Sequence, residues 1–253
     1  MKKNSGLNLI YKNLGETPNE AILRYKRENP EYADLAMTYA GRLDPMAEGV
    51  LLVLSGDEIK EKEKYLGLRK TYVFEILWGF LTDSLDLLGL VSGHHLDTPF
   101  PSDEEMKTRL KEYIRKFEQK YPAYSSKTIV GVPLFKLARQ GKLADIEIPK
   151  HEVEIFEAKF LSRWFVSGDD LLKNIEHKIS LVSGDFRQSE ILKKWQANLS
   201  TSQVDKFVID RIEVTVSSGF YVRQFVSDIA ESFGTKAVTF HIKRTSIENF
   251  SIL

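Results

Sequence analysis

Apolar residues along the chain change period several times, and each change marks an element. Residues 7–11 (LNLIY) are a short mixed run that predicts a strand, and "GETPNEAILRYKREN" predicts a turn and then a helix. Thr17 is placed to cap that helix and Pro18 suits its first turn; Ile22, Leu23 and Tyr25 supply its apolar contacts. "PEYADLAMTYAGRLDPMAEG" lacks a period and predicts a loop, closed by a buried strand at "VLLVLSG". Ile59–Leu66 reads as a short charged helix, and "KTYVFEILWGF" alternates as a strand with Tyr72, Phe74 and Ile76 on one face. "LTDSLDLLG" is a loop.

Beyond residue 100 the clearest helical pattern is "SDEEMKTRLKEYIRKFEQK". Ser102 and Glu105 form a capping-box pair, and Met106, Leu110, Ile114 and Phe117 recur at helical spacing. An irregular segment and a short helix follow at "YPAYSSKTIVGVPLFKLARQGK", then a strand at "HEVEIFEAKFLSRWFV". Residues 167–206 read as an inserted helical stretch. "KFVIDRIEVTVSSG" is a strand, "FYVRQFVSDIAESFG" an amphipathic helix stopped by Gly234, and "AVTFHIKRTSIENFSIL" one or two short strands. Strands and helices mix without regular βαβ alternation. That predicts an α+β fold with a mixed, largely antiparallel sheet, in one domain of 253 residues that carries an insertion.

Composition narrows the function. The chain is 42% hydrophobic and 28% charged, and it contains no cysteine, which excludes disulfides, Cys-ligated zinc and thiolate nucleophiles. Its longest apolar run, Val50–Leu54, is too short to span a bilayer. The first fifteen residues lack the apolar region of a secretory signal, and a cytoplasmic protein is expected. Formal net charge is zero, but residues 104–142 hold ten Lys/Arg against four Glu. Such a segment is either a solvated helix face or a phosphate-binding arm; in the second case, charge reversal within Lys107–Lys120 would weaken RNA binding and its salt dependence.

No phosphate loop, dinucleotide fingerprint, zinc-protease motif or nucleophile elbow is present. His94–His95 read as a solvated turn before a metal site. Asp83 and Asp86 read as a turn with Asx-type hydrogen bonds before ligands for a hard cation. Asp44 differs, because "GRLDPMAEGVLLVL" sets a carboxylate between Leu and Pro, just ahead of a buried strand. A carboxylate near a core requires a cation, and Arg42, Arg223 and Arg244 are the candidates; a structural salt bridge is the plain reading.

"GRLDPMAEGVL" resembles the G-x-L-D-P-x-A-x-G-x-L signature of TruB-type tRNA pseudouridine synthases. Four further segments resemble that family in order: "GLNLIYKNLGETPNEAI", "KTYVFEILWGFLTDSLDLLG", "PAYSSKTIVGVPLFKLARQG" and "SSGFYVRQFVSDIAESFGTKAVTFHIKRTSI". The resemblance implies a sheet flanked by helices around a central active-site cleft, and isomerisation of a flipped-out uridine in the tRNA T-loop. It implies Asp44 as the catalytic carboxylate, acting as nucleophile at the sugar C1′ or stabilising charge there. Tyr72 would pack on the uracil and be available for proton transfer, and Arg223 would pair with Asp44.

Around these, the resemblance implies a substrate-binding set. Ile242 would be an apolar wall, and Lys12 and Lys70 would support the loops or contact the RNA backbone. Arg42 and Arg244 would line the substrate site. Tyr39 stands where the family has a His associated with the place a flipped base vacates. No metal or organic cofactor and no protein partner is implied, and a monomer is expected. Thr17-Pro18 replaces the family's Ser-Ser, and Thr128, beside Lys127, replaces a Lys. The family's further RNA-binding domain has no counterpart, so tRNA would be held by the catalytic domain alone, with residues 104–150 contacting the RNA. The insertion at 167–206 has no family counterpart. Two other readings stand beside this one: an RNA-binding tRNA-folding chaperone on the same fold, and a carboxylate-metal hydrolase built on Asp44, Asp83 and Asp86.

Overall fold

The computed structural model describes residues 6–144, 146–202 and 204–252. Its first elements are strand β1 (Gly6–Lys12) and helix α1 (Pro18–Glu28). Thr17 caps α1, as the sequence predicts, and Glu20 completes a capping box by accepting from the Thr17 backbone. Strand β2 (Met37–Ala40) lies in the segment expected to be loop; it pairs antiparallel with β3 (Ala47–Ser55). Four residues are too few to declare a period, and the long partner strand makes the difference. The VLLVL run sits in β3 and is fully buried.

Helix α2 (Lys62–Leu66) leads into β4 (Lys70–Trp78), and β5 (Phe80–Thr82) forms a small hairpin with β6 (Val91–His94). Helix α3 (Asp103–Glu112) has the expected Ser102–Glu105 capping box but is shorter than its pattern suggests. Residues expected to continue it form β7 (Lys116–Lys120) instead, so Ile114 and Phe117 are not on the helix. The reason is tertiary: Lys116–Lys120 pairs antiparallel with residues 150–154, and Gln119 is fully buried on the inward face.

A two-residue hairpin, β8 (Thr128–Ile129) and β9 (Val132–Pro133), precedes α4 (Leu134–Arg139). Strand β10 (Lys150–Ser167) is the longest element. The stretch expected to be a helical insertion forms α5 (Gly168–Ser180), capped by Ser167, and α6 (Gln188–Ser200). Then come β11 (Lys206–Val216), α7 (Val222–Ser232), β12 (Ala237–Ile247) and β13 (Phe250–Ser251). Strand β12 is not one of the short strands expected here. It spans eleven residues and lies inside the sheet, its outward positions polar because one face is half-exposed.

The main sheet runs β1-β3-β12-β4-β11-β10-β7, with β2 and β13 at its margins. Only β3 and β12 pair in parallel, so the sheet is mixed and largely antiparallel. Alternate residues of the central strands serve two cores. Phe74, Ile76 and Ile212 pack under α3 and α7, while Leu77, Phe207 and Ile209 pack under α5 and α6. Among the described residues no helix is long and apolar enough to cross a membrane.

Candidate active site

Two buried cations brace the loop that carries Asp44. Arg244, 1% exposed on β12, donates from Nε to the Val50 carbonyl at 2.7 Å. Its Nη2 reaches Gly41 O at 3.2 Å and its Nη1 reaches Arg42 O at 3.4 Å. Lys12, fully buried at the end of β1, donates to the carbonyls of Ala47 and Asn13. Arg244 therefore holds one end of the loop and Lys12 the other. β3 and β12 approach closely enough here that a Cβ at Gly49 would meet Arg244 O at 2.2 Å, and Gly49 takes a φ of 112°. Burial pushes the Lys12 ammonium down to about 8, against the nearby Glu16 and Asp44 charges. Lys70 behaves alike. It donates to Leu66 O and Leu68 O, and burial, reinforced by Arg244, pushes it down to about 8.

Asp44 meets its cation on the first turn of α7. Arg223 reaches Asp44 Oδ2 with Nε at 2.9 Å and Nη2 at 2.7 Å. Both contacts fall on one oxygen, and Oδ1 accepts no hydrogen bond among the described residues. Of the three candidate arginines, Arg223 makes the pair; Arg42 is exposed and Arg244 faces carbonyls. The Arg223 guanidinium also donates to Ser84 O at 2.6 Å and Tyr124 O at 3.1 Å, and it lies 3.6 Å from Asp86 Oδ2. Burial opposes the charge on Arg223, but Asp44 and Asp86 more than offset it. Burial likewise pushes the Asp86 carboxyl up, against Arg223 and the Ser84 hydroxyl.

These groups open into a cleft of about 630 Å³, within the range of small-ligand sites. Asp44, Arg42, Tyr72, Lys70, Arg223, Arg244 and Ile242 all line it, with Leu43 and Phe220 adding apolar surface. Tyr72 is buried on β4 opposite Arg244. The cleft thus sets apolar and aromatic walls beside a carboxylate held by arginine on one oxygen, a setting for a planar ring beside a nucleophile. Lys12 and Tyr39 do not line it. Tyr39 packs instead against the cluster of Ile10, Ile22 and Val53, with Lys62 over its ring at 5.6 Å.

Asp83 and Asp86, read as alternative metal ligands, make other bonds. Asp86 accepts from Ser84 and from the Leu88 N–H, which is an Asx-type turn. Asp83 accepts from Leu90 N, Tyr124 Oη and Arg187. Among the described residues no group of three or more His, Cys, Asp or Glu is arranged for a metal. Sequence reasoning missed Tyr124 and Tyr221. Tyr221 sits two residues before Arg223 and is held by both polar ends of Gln119, at 2.8 and 3.1 Å. It also missed Asp185, Phe186 and Arg187, which reach the cleft from the connection between α5 and α6 and carry no local signal.

Comparison with known proteins converges on one family. Residues 33–181 match the family model for TruB family pseudouridylate synthase, N-terminal domain. A tRNA pseudouridine synthase B from Thermosipho melanesiensis is 29% identical over 248 residues, covering 96% of this chain and 64% of that protein. One from Borrelia garinii subsp. bavariensis is 27% identical, covering 98% and 71%. The chain thus spans about two thirds of the length of these relatives. Among solved structures, a chain in a Cbf5-Nop10-Gar1 complex aligns over 96% of this chain and 49% of its own length, with a TM-score of 0.57 and 15% identity, a likeness of fold.

Proposed function

This chain belongs to the TruB family of pseudouridylate synthases, and on that premise we propose that it converts uridine to pseudouridine in the T-loop of tRNA. The observation that carries the reading is the Asp44–Arg223 pair at the wall of an apolar, aromatic cleft. The target base must leave its stack to reach a carboxylate so placed. Asp44 Oδ1 attacks C1′ as the N1–C1′ bond breaks, with Arg223 fixing the other oxygen. The released uracil turns between Tyr72, Ile242 and Phe220, and C5 bonds to C1′ as the Asp44 ester opens. The C5 proton is then lost and N1 gains one, so that product and substrate have the same formula. In this reading Tyr72, buried at the wall of the cleft, moves that proton. Lys12, Lys70 and Arg244 serve this chemistry by holding backbone, and Arg42 lies at the wall where the nucleotide enters.

The test follows the C5 hydrogen. Protein incubated with a tRNA transcript carrying tritium at uridine C5 is expected to release tritium to water, with pseudouridine mapping to the T-loop. Retained binding without release would leave a tRNA-binding protein.

RNA contact is proposed for residues 104–150, on uneven charges. Lys107, Arg109 and Lys116 are paired with Glu104, Glu112 and Glu152. Lys127 instead lies exposed beside the cleft, over the Tyr121 ring at 4.9 Å. Lys127→Ala is expected to flatten the slope of log affinity against log salt by about 0.7 to 0.9, one phosphate contact. Lys107→Ala is expected to change it far less. Titration of tRNA binding between about 50 and 200 mM salt checks both, and equal slopes would remove Lys127 from the interface.

A further inference from the structure

The helix pair α5–α6 is joined at two points to the 80–87 segment, which carries Ser84 and Asp86 of the cleft. Fully buried Trp195 of α6 packs on Phe80 with ring centroids 5.1 Å apart, and its indole N–H donates to Leu87 O at 3.2 Å. Arg187, at the start of α6, reaches Asp83 Oδ2 with Nη1 at 3.0 Å and stacks over the Tyr124 ring at 5.2 Å. Tyr124 closes the triangle by donating its hydroxyl to the same Asp83 oxygen at 2.8 Å.

What this triangle holds is the cradle of Arg223. Tyr124 supplies one of the carbonyls that accept from the guanidinium, and Ser84, next to Asp83, supplies the other. Arg187 and Leu85 both have positive φ, 64° and 65°, uncommon for non-glycine residues and shared among the described residues by Val130 and Glu248 elsewhere in the chain. Arg187 lies at the outer end of this network and Leu85 between Ser84 and Asp86 at its inner end.

We propose that Arg187 is a positioning residue: through Asp83 and Tyr124 it fixes the two carbonyls that orient Arg223 on Asp44, making the insertion part of the active site. The proposal rests on the pseudouridine synthase reading for its kinetic consequence but not for its structural one. A plain surface ion pair would contribute little to anything. This one differs because its acceptor also binds Tyr124 and the Leu90 N–H, and because both of its supports lead to the same guanidinium.

The experiment compares wild type with Arg187→Ala, Arg187→Lys, Asp83→Asn and the Arg187→Ala/Asp83→Asn double variant. In steady-state tritium release, Arg187→Ala is expected to lower kcat by about 10- to 100-fold, the effect of a small misplacement, with KM for tRNA within about twofold. Arg187→Lys should recover part of kcat. The double variant should fall no further than the worse single one, because both act through one contact. Independently of activity, the Arg223 Nε–H signal, assigned by ¹⁵N NMR with Arg223→Lys, should exchange with water faster in Arg187→Ala.

Unchanged kcat with raised KM and a shallower salt slope would make Arg187 a phosphate contact and overturn the proposal. A lowered Tm with unchanged kcat and unchanged Arg223 exchange would make it a purely structural bond, also overturning it. If the wild type releases no tritium, the functional reading fails, and the exchange comparison alone decides the positioning role.

Discussion

Asp44→Asn abolishes tritium release from C5-labelled uridine, lowering turnover by at least roughly 10³-fold, the scale of losing a nucleophile, while tRNA affinity stays within about twofold. The substitution keeps shape and removes charge. An amide oxygen still accepts from Arg223, and Arg223 retains Ser84 O, Tyr124 O and Asp86, so the cradle survives. What is lost is the one oxygen with no partner, Oδ1, as a nucleophile toward C1′. Binding is expected to hold because the proposed walls for the base, Tyr72, Phe220 and Ile242, are left unchanged. Single-turnover tritium release and filter binding on the same transcript separate the two effects. Full turnover by Asp44→Asn would sink the mechanism; loss of binding in step with turnover would mean that the carboxylate holds substrate and does no chemistry.

The elements most legible in the sequence are those whose signal is local. The Thr17 cap with Pro18 after it and the Ser102–Glu105 capping box mark helix starts within four residues, and β3 announces itself by an unbroken apolar run. Lys116–Lys120 was not legible, because its helical spacing continues from α3 while its strand state depends on residues 150–154. The length of β12 was hidden for a related reason. His241, Lys243 and Thr245 look like an interruption until the sheet is seen to leave one face half-exposed.

The site divides the same way. Asp44 stood out by its setting between Leu and Pro, but its partner lies 179 residues away, and only resemblance to a family singled out Arg223 among three arginines. Lys12 and Arg244 show what residue type alone cannot convey. Both are cations beside the Asp44 loop, and both face backbone carbonyls, so their work is to hold that loop. Tyr39 was placed at the cleft by alignment with a His, and the register of β2 on β3 carries it to another cluster.

Arg223→Met is expected to be the most damaging single change to stability. Arg223 is 3% exposed, and its loss leaves buried Asp86 without its cation and half-exposed Asp44 and two carbonyls without their guanidinium donor. Removing one partner of a buried pair costs about 3–5 kcal/mol, which for a chain of this size is a fall in Tm of roughly 6–20 °C. The pH dependence identifies the cause. Burial already raises the Asp86 carboxyl above its ordinary value, with Arg223 opposing, and removing Arg223 raises it further. A group raised on folding gives stability that is fully present below its unfolded value, about 4, and lost as pH rises through its folded value. The deficit of Arg223→Met relative to wild type is therefore largest at neutral pH and narrows on acidification, as Asp86 takes up a proton. Adding Asp86→Asn should recover part of the lost Tm at pH 7 without restoring turnover, because the uncompensated charge is gone but Asp44 remains unoriented. Arg223→Lys should keep more stability than activity, since an ammonium supplies charge but cannot span Asp44, Ser84 O and Tyr124 O in one plane. Thermal melts of wild type and the three variants between pH 5 and 8 check this; a Tm deficit independent of pH and untouched by Asp86→Asn would mean that Arg223 stabilises by packing rather than by neutralising Asp86.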